Sequence, residues 1–216
     1  MYRKRFCISI WLLAAFILWT AAVMNVDVQA IGPEGSTVGF AAMNRYVHSR
    51  IGVHLFLYTL TDWLSLIPLI FALCFALLGL SQWIRRKKLL LVDRSILILG
   101  GLYAVTAAAY VFFEKFAVNY RPVLIDGILE ASYPSSTTLL VLSIMPAAAM
   151  QLHQRIRCPI LRRAIEGGIA FFSVFMVAAR LLSGVHWITD IAGSILLSAG
   201  LVTLYSSIAT APETNA

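Results

Sequence analysis

Apolar positions in this chain do not alternate with polar ones; they run in long blocks. Stretches rich in Leu, Ile, Val, Ala and Phe cover about residues 6 to 24, 60 to 84, 95 to 113, 136 to 152, 165 to 183 and 187 to 208. A helix needs about 20 residues to cross a bilayer, so each block predicts a membrane span, the fourth being short. Six spans leave no stretch for a separate soluble domain. The expected fold is therefore all-α, a polytopic six-transmembrane-helix bundle forming one domain over residues 1 to 216. Between the first two spans, Val38, Ala42, Met43, Tyr46, Val47 and Ile51 fall at helical spacing behind Ser36 or Thr37 as caps. That pattern predicts an external interfacial helix on the membrane surface, and it fits equally a connector packed over the bundle.

Composition agrees with the blocks. Of 216 residues, 60% are hydrophobic and 12% charged, and the mean hydropathy is +0.85. Soluble domains carry about a quarter charged residues, so a water-soluble globule is excluded. The net charge of +7 raises the question of nucleic acid, but the distribution of the basic residues answers it. Arg3, Lys4 and Arg5 precede the first block. Arg85, Arg86, Lys87, Lys88 and Arg94 separate the second from the third, and Arg155, Arg157, Arg162 and Arg163 separate the fourth from the fifth. Twelve of seventeen basic residues thus fall in alternate connections, the positive-inside pattern of a membrane protein with both termini cytoplasmic. No nucleic-acid partner is expected. The start of the chain also resembles a cleavable signal peptide, but its apolar core is longer than an ordinary signal's, which favours a retained anchor. Residues 211 to 216 are expected to be a frayed cytoplasmic tail. Cys7, Cys74 and Cys158 have no disulfide or metal-ligand spacing, and neither metal nor cofactor is expected. Oligomeric state is not legible.

The remaining cations fall at the other ends of the spans, where this topology gathers Lys115, Arg121, Pro134-Ser135-Ser136-Thr137, Arg180, His186 and Asp190 at one level. Charges at a membrane are costly without partners or a role, and three cations beside a His and an Asp call for an anion such as phosphate. Gly184 breaks the helix, and a sixth span starting near Val185 sets His186 and Asp190 four residues apart on one face. The carboxylate then holds a proton on one imidazole nitrogen and leaves the other to act as nucleophile. An interfacial histidine beside a helix-capping aspartate accounts for the same pair without chemistry. Ser135, Ser136 and Thr137 open the fourth span either as caps or as a helix N-terminus that binds an anion. Lys115 and Arg121, taken alone, are ordinary snorkelling residues.

Together these residues resemble the three-part signature of the type 2 phosphatidic acid phosphatase superfamily: Lys115 with Arg121-Pro122, then Pro134-Ser135-Ser136-Thr137, then Arg180, His186 and Asp190. The resemblance covers about residues 95 to 208. It implies a membrane phosphatase in which His186 attacks phosphorus to form a phosphohistidine and Asp190 orients it. Lys115, Arg121, Ser135 and Arg180 would hold the phosphate oxygens, with Ser136 and Thr137 at the same helix start. Three positions depart from the pattern. Five residues rather than six separate Lys115 from Arg121, so Glu114 occupies the place of the lysine. Ala179 precedes Arg180 where a serine is usual. Thr137 replaces the histidine that protonates the leaving group, and a hydroxyl is a poor general acid near neutral pH. The expected function is a lipid phosphatase at the outer face of the plasma membrane, preferring diphosphates such as undecaprenyl diphosphate. Glu130 or Asp126 would be a substitute acid that erases the preference. The alternatives are a relative that binds phosphorylated lipid with weakened or no catalysis, and a transporter or structural protein sharing only the helical frame.

Overall fold

The computed structural model describes residues 2–211; of the expected frayed tail from Ala211 to Ala216, all but Ala211 lies outside the described residues. Eight α-helices follow one another: α1 (Tyr2–Asn25), α2 (Ala41–Ile51), α3 (Leu55–Leu64), α4 (Leu66–Arg86), α5 (Arg94–Lys115), α6 (Ser136–Arg155), α7 (Pro159–Leu182) and α8 (Ile188–Ala209). With α3 and α4 taken as one stretch, six helices among the described residues are long and apolar enough to cross a membrane. Bulky side chains such as Trp11, Phe56 and Phe171 stand about three-quarters exposed on the outside of the bundle. Such a surface is tolerable only in lipid. The protein is an all-α, multi-pass membrane protein.

Helices α6 and α8 form the centre, with α1, α4, α5 and α7 around them. Small residues allow this: a Cβ on Gly200 of α8 would come within 2.7 Å of Leu13 on α1, and one on Gly193 within 2.6 Å of the Tyr133 ring. In a bilayer, where lipid tails compete with apolar side chains, such close approach is what holds helices together. The hydroxyls of Ser194 and Ser198 donate to the carbonyls one turn earlier, at 3.0 and 2.6 Å, so they add no unsatisfied group to the interior.

Two elements differ from the sequence reading. The second span begins at Leu55 rather than near residue 60, and it breaks at Ser65 into α3 and α4. Ser36 and Thr37 do not cap α2. Thr37 and Val38 pair with Gln29 and Ala30 in a two-residue antiparallel ladder, and the residue before α2 is Phe40 in a left-handed conformation. The inward face of α2 is Ala41 and Asn44, whereas Met43 and Tyr46 stay exposed. A polar anchor decides this orientation: Asn44 Nδ2 donates to Thr189 Oγ1 at 3.0 Å, fixing α2 to the start of α8.

The three basic segments meet at one end of the bundle. Arg5 donates to Ser206, Arg94 to the Ala211 carbonyl, and Arg86 and Arg155 both reach Asp93. At the opposite end lie the start of α3, the ends of α5 and α7, and the starts of α6 and α8, with α2 alongside.

Candidate active site

The turn between α7 and α8 places the histidine. Gly184 adopts φ +70°, and a Cβ there would sit 1.9 Å from the Gly52 carbonyl oxygen, so only glycine fits. The α2–α3 corner braces this turn from outside: the His54 N–H donates to the Ser183 carbonyl at 2.9 Å, and His48 Nε2 lies 3.1 Å from the Gly184 carbonyl. Beyond it, Asp190 folds back over the start of α8. Its Oδ2 accepts from the Trp187 N–H at 2.9 Å and its Oδ1 from Asn119 at 3.1 Å.

His186 is 3% exposed. Its Nδ1 lies 3.1 Å from the Ser132 carbonyl and 3.7 Å from Asp190 Oδ2, so the hydrogen bond that orients the ring goes to the Ser132 carbonyl. A carbonyl only accepts, so Nδ1 carries the proton and Nε2 the lone pair. Nε2 is buried without a partner. Burial first, then the positive charges of Arg180 and Arg121, hold the imidazole well below its ordinary pKa and keep it neutral.

Two arginines flank a single tyrosine. The Arg180 and Arg121 guanidinium carbons lie 4.7 and 5.7 Å from the centre of the Tyr58 ring, a cation–π arrangement. Arg180 Nη1 donates to Thr61 Oγ1 at 3.1 Å and lies 3.4 Å from Asp62 Oδ1. Arg121 sits in the α5–α6 loop, where its N–H donates to the Glu130 carbonyl. Its Nε is 2.9 Å from the Glu130 carboxylate without the alignment of a hydrogen bond. Buried donors normally find partners. Here Arg121 Nε and Nη1 and Arg180 Nε do not.

At the start of α6 the Ser135 hydroxyl donates to Thr138 rather than to the backbone, so no side chain caps the helix. Its first-turn N–H groups and the positive end of its dipole remain available to an anion. Ser136 lines a narrow pocket that also holds His186, Ser132, Tyr110 and Glu114. Thr137 instead lines a neighbouring, largely apolar groove of about 500 Å³ between α4, α5 and α6, with Asp62 at its rim. Tyr110, Ser136 and Leu139 border both. Lys115 is exposed at the last turn of α5, and it is Glu114 that faces the His186 pocket.

The sequence reading therefore named the histidine and both arginines, but not Tyr58, Thr61, Asp62, Asn119 or the Ser132 carbonyl. A signal for three of these was present: Tyr58, Thr61 and Asp62 share a face at three- and four-residue spacing in an otherwise apolar stretch. Glu130, one of the expected substitute acids, is the ion partner of Arg121, and Asp126 lies exposed in the tight turn of the loop.

The architecture has a counterpart among solved structures: the crystal structure of a transmembrane PAP2-type phosphatidylglycerolphosphate phosphatase from Bacillus subtilis. It aligns with a TM-score of 0.61 over 92% of this chain and 93% of that one, at 15% identity. The two chains share one fold. No family model and no curated protein sequence matches this chain, so the shared fold rests on backbone geometry rather than on overall sequence likeness.

Proposed function

We propose that this protein is a membrane lipid phosphatase that works through a phosphohistidine on His186 at the outer face of the plasma membrane. The observation that carries the proposal is the set of buried, unpartnered donors on Arg121 and Arg180 beside an unpartnered imidazole nitrogen. The N–H groups of Arg121 Nη1 and Arg180 Nε, on two cations, fit the oxygens of a phosphoryl group, which would supply the missing partners. His186 Nε2 attacks phosphorus, the P–N bond forms as the bond to the leaving oxygen breaks, and water later cleaves the P–N bond. Ser132 and Asp190 hold the imidazole and its developing charge. The superfamily motifs and the shared fold support the same reading, and the charge asymmetry of the two bundle ends supports the outward-facing site.

The groove between α4, α5 and α6 supplies the lipid side of the recognition. It is largely apolar and meets the His186 pocket at Ser136. A tail lying in it delivers its phosphate to the arginines. Substrates are then lipid phosphates and diphosphates, and Thr137 favours the latter. A monoester expels an alkoxide whose conjugate acid is about as weak an acid as water, whereas a diphosphate expels a phosphate whose second pKa is about 6. The similar Bacillus enzyme is named for a lipid phosphomonoester, so both classes belong in the assay.

The test is phosphate release from both classes by purified protein in detergent, with chelator present. We expect release that is lost in His186→Ala and unaffected by chelation, since among the described residues no three His, Cys, Asp or Glu side chains cluster to hold a metal. Saturable binding of the lipids without release would instead establish the binding-only alternative.

A further inference from the structure

Resting on the phosphatase reading, we infer that Glu114 is the proton donor to the leaving oxygen, the role left vacant by Thr137. Glu114 lies on the last turn of α5 and faces the pocket that contains His186, Ser132 and Ser136. The other titratable side chains lining that pocket are Tyr110, Tyr133 and His186. His186 is the nucleophile. The phenol of Tyr133 is engaged with Thr20 at 2.7 Å, and burial raises its pKa above the ordinary phenol value. Tyr110 keeps a phenol, a weaker acid than a carboxyl group. Glu130 and Asp62 are paired with Arg121 and Arg180, and neither lines this pocket.

The charge of Glu114 makes the same point. A carboxylate facing a phosphate site is repelled by the anion it must share the pocket with, so it has no value there as a phosphate ligand. Protonation reverses this: a neutral carboxyl donates a hydrogen bond to a phosphate ester oxygen. The step begins with Glu114 carrying its proton. As the P–N bond to His186 forms, the P–O bond breaks and its electron pair passes to the leaving oxygen, which takes the Glu114 proton. In the second half, the water oxygen bonds phosphorus as the P–N electron pair returns to the imidazole, and the proton that the water sheds returns to the Glu114 carboxylate by way of solvent. Glu114 ends protonated and the products are phosphate and the lipid alcohol.

The test compares dioctanoylglycerol phosphate with dioctanoylglycerol diphosphate, which share a tail and differ in leaving group. Glu114→Gln is expected to lower kcat for the monophosphate by about 100-fold or more while leaving the diphosphate within a few-fold. Glu114→Asp should restore part of the monophosphate rate. Equal losses on both substrates, or no loss on either, overturn the assignment while leaving the phosphatase reading intact. Wild-type protein that releases phosphate from neither substrate overturns both. Glu114 is exposed, so the variant should fold, and monodispersity in detergent verifies this.

Discussion

The two ends of the helical bundle carry cations in opposite states. At one end Arg86 and Arg155 share Asp93 in the open, with Arg86 about half exposed. At the other, Arg121 and Arg180 are nearly sealed, sit on one tyrosine and keep donors without partners. Exposed pairs contribute about 0 to 1 kcal/mol and serve topology. A buried cation with spare donors costs stability unless something binds it. On the proposed function, the same residue type marks an address at one end of the molecule and a ligand at the other, and burial rather than charge tells them apart.

The contrast breaks most sharply through substitution. His186→Ala should abolish phosphate release, and Arg121→Ala or Arg180→Ala should lower it by about 100-fold or more, as expected for groups that hold transition-state charge. Arg86→Ala and Arg155→Ala should leave it within about twofold. Comparable losses at the two ends would erase the distinction. Next in size is Gly184→Ala, whose methyl meets the Gly52 carbonyl. It should lower kcat at least tenfold, with the protein still entering the membrane fraction, because the turn and not the spans is displaced. Unchanged turnover would show that the turn has room to shift.

Smaller effects sharpen the picture. His186 is held below its ordinary pKa of about 6.5. Above that value both folded and unfolded chains keep the imidazole neutral. As pH falls through it, the unfolded chain gains a proton that the folded chain refuses, so stability declines. Between pH 7.5 and 5 the Tm of wild type should fall further than that of His186→Gln, and parallel curves would contradict the burial argument. Smallest is Lys115→Ala, expected within about threefold of wild type, because Lys115 is exposed and Glu114 takes its place at the pocket. A loss as large as that of Arg121→Ala would restore Lys115 to the site. Orientation is checked separately: in a chain lacking Cys7, Cys74 and Cys158, Asp126→Cys should react with a membrane-impermeant thiol reagent on intact cells.

Hydrophobic runs made the six spans legible because bilayer thickness leaves little freedom in length. They did not reveal how each helix is rotated about its axis. The missed residues follow from this: α3 turns Tyr58 and Thr61 toward the arginines, and α5 turns Glu114 rather than Lys115 toward the histidine. Motif spacing grouped His186, Arg121 and Arg180, which the structure brings together, because side chains carry that information. The Ser132 carbonyl that orients the ring was invisible, since a backbone group leaves no mark on residue identity.

Under the proposed activity, the groove between α4, α5 and α6 also sets the units in which this protein's kinetics are measured. A substrate whose tail occupies it arrives by lateral diffusion within the membrane, not from water. Its effective concentration is a mole fraction in the surface. Adding inert detergent or lipid at fixed bulk substrate should therefore slow turnover, and rates measured at different dilutions should collapse onto one curve only when plotted against surface composition.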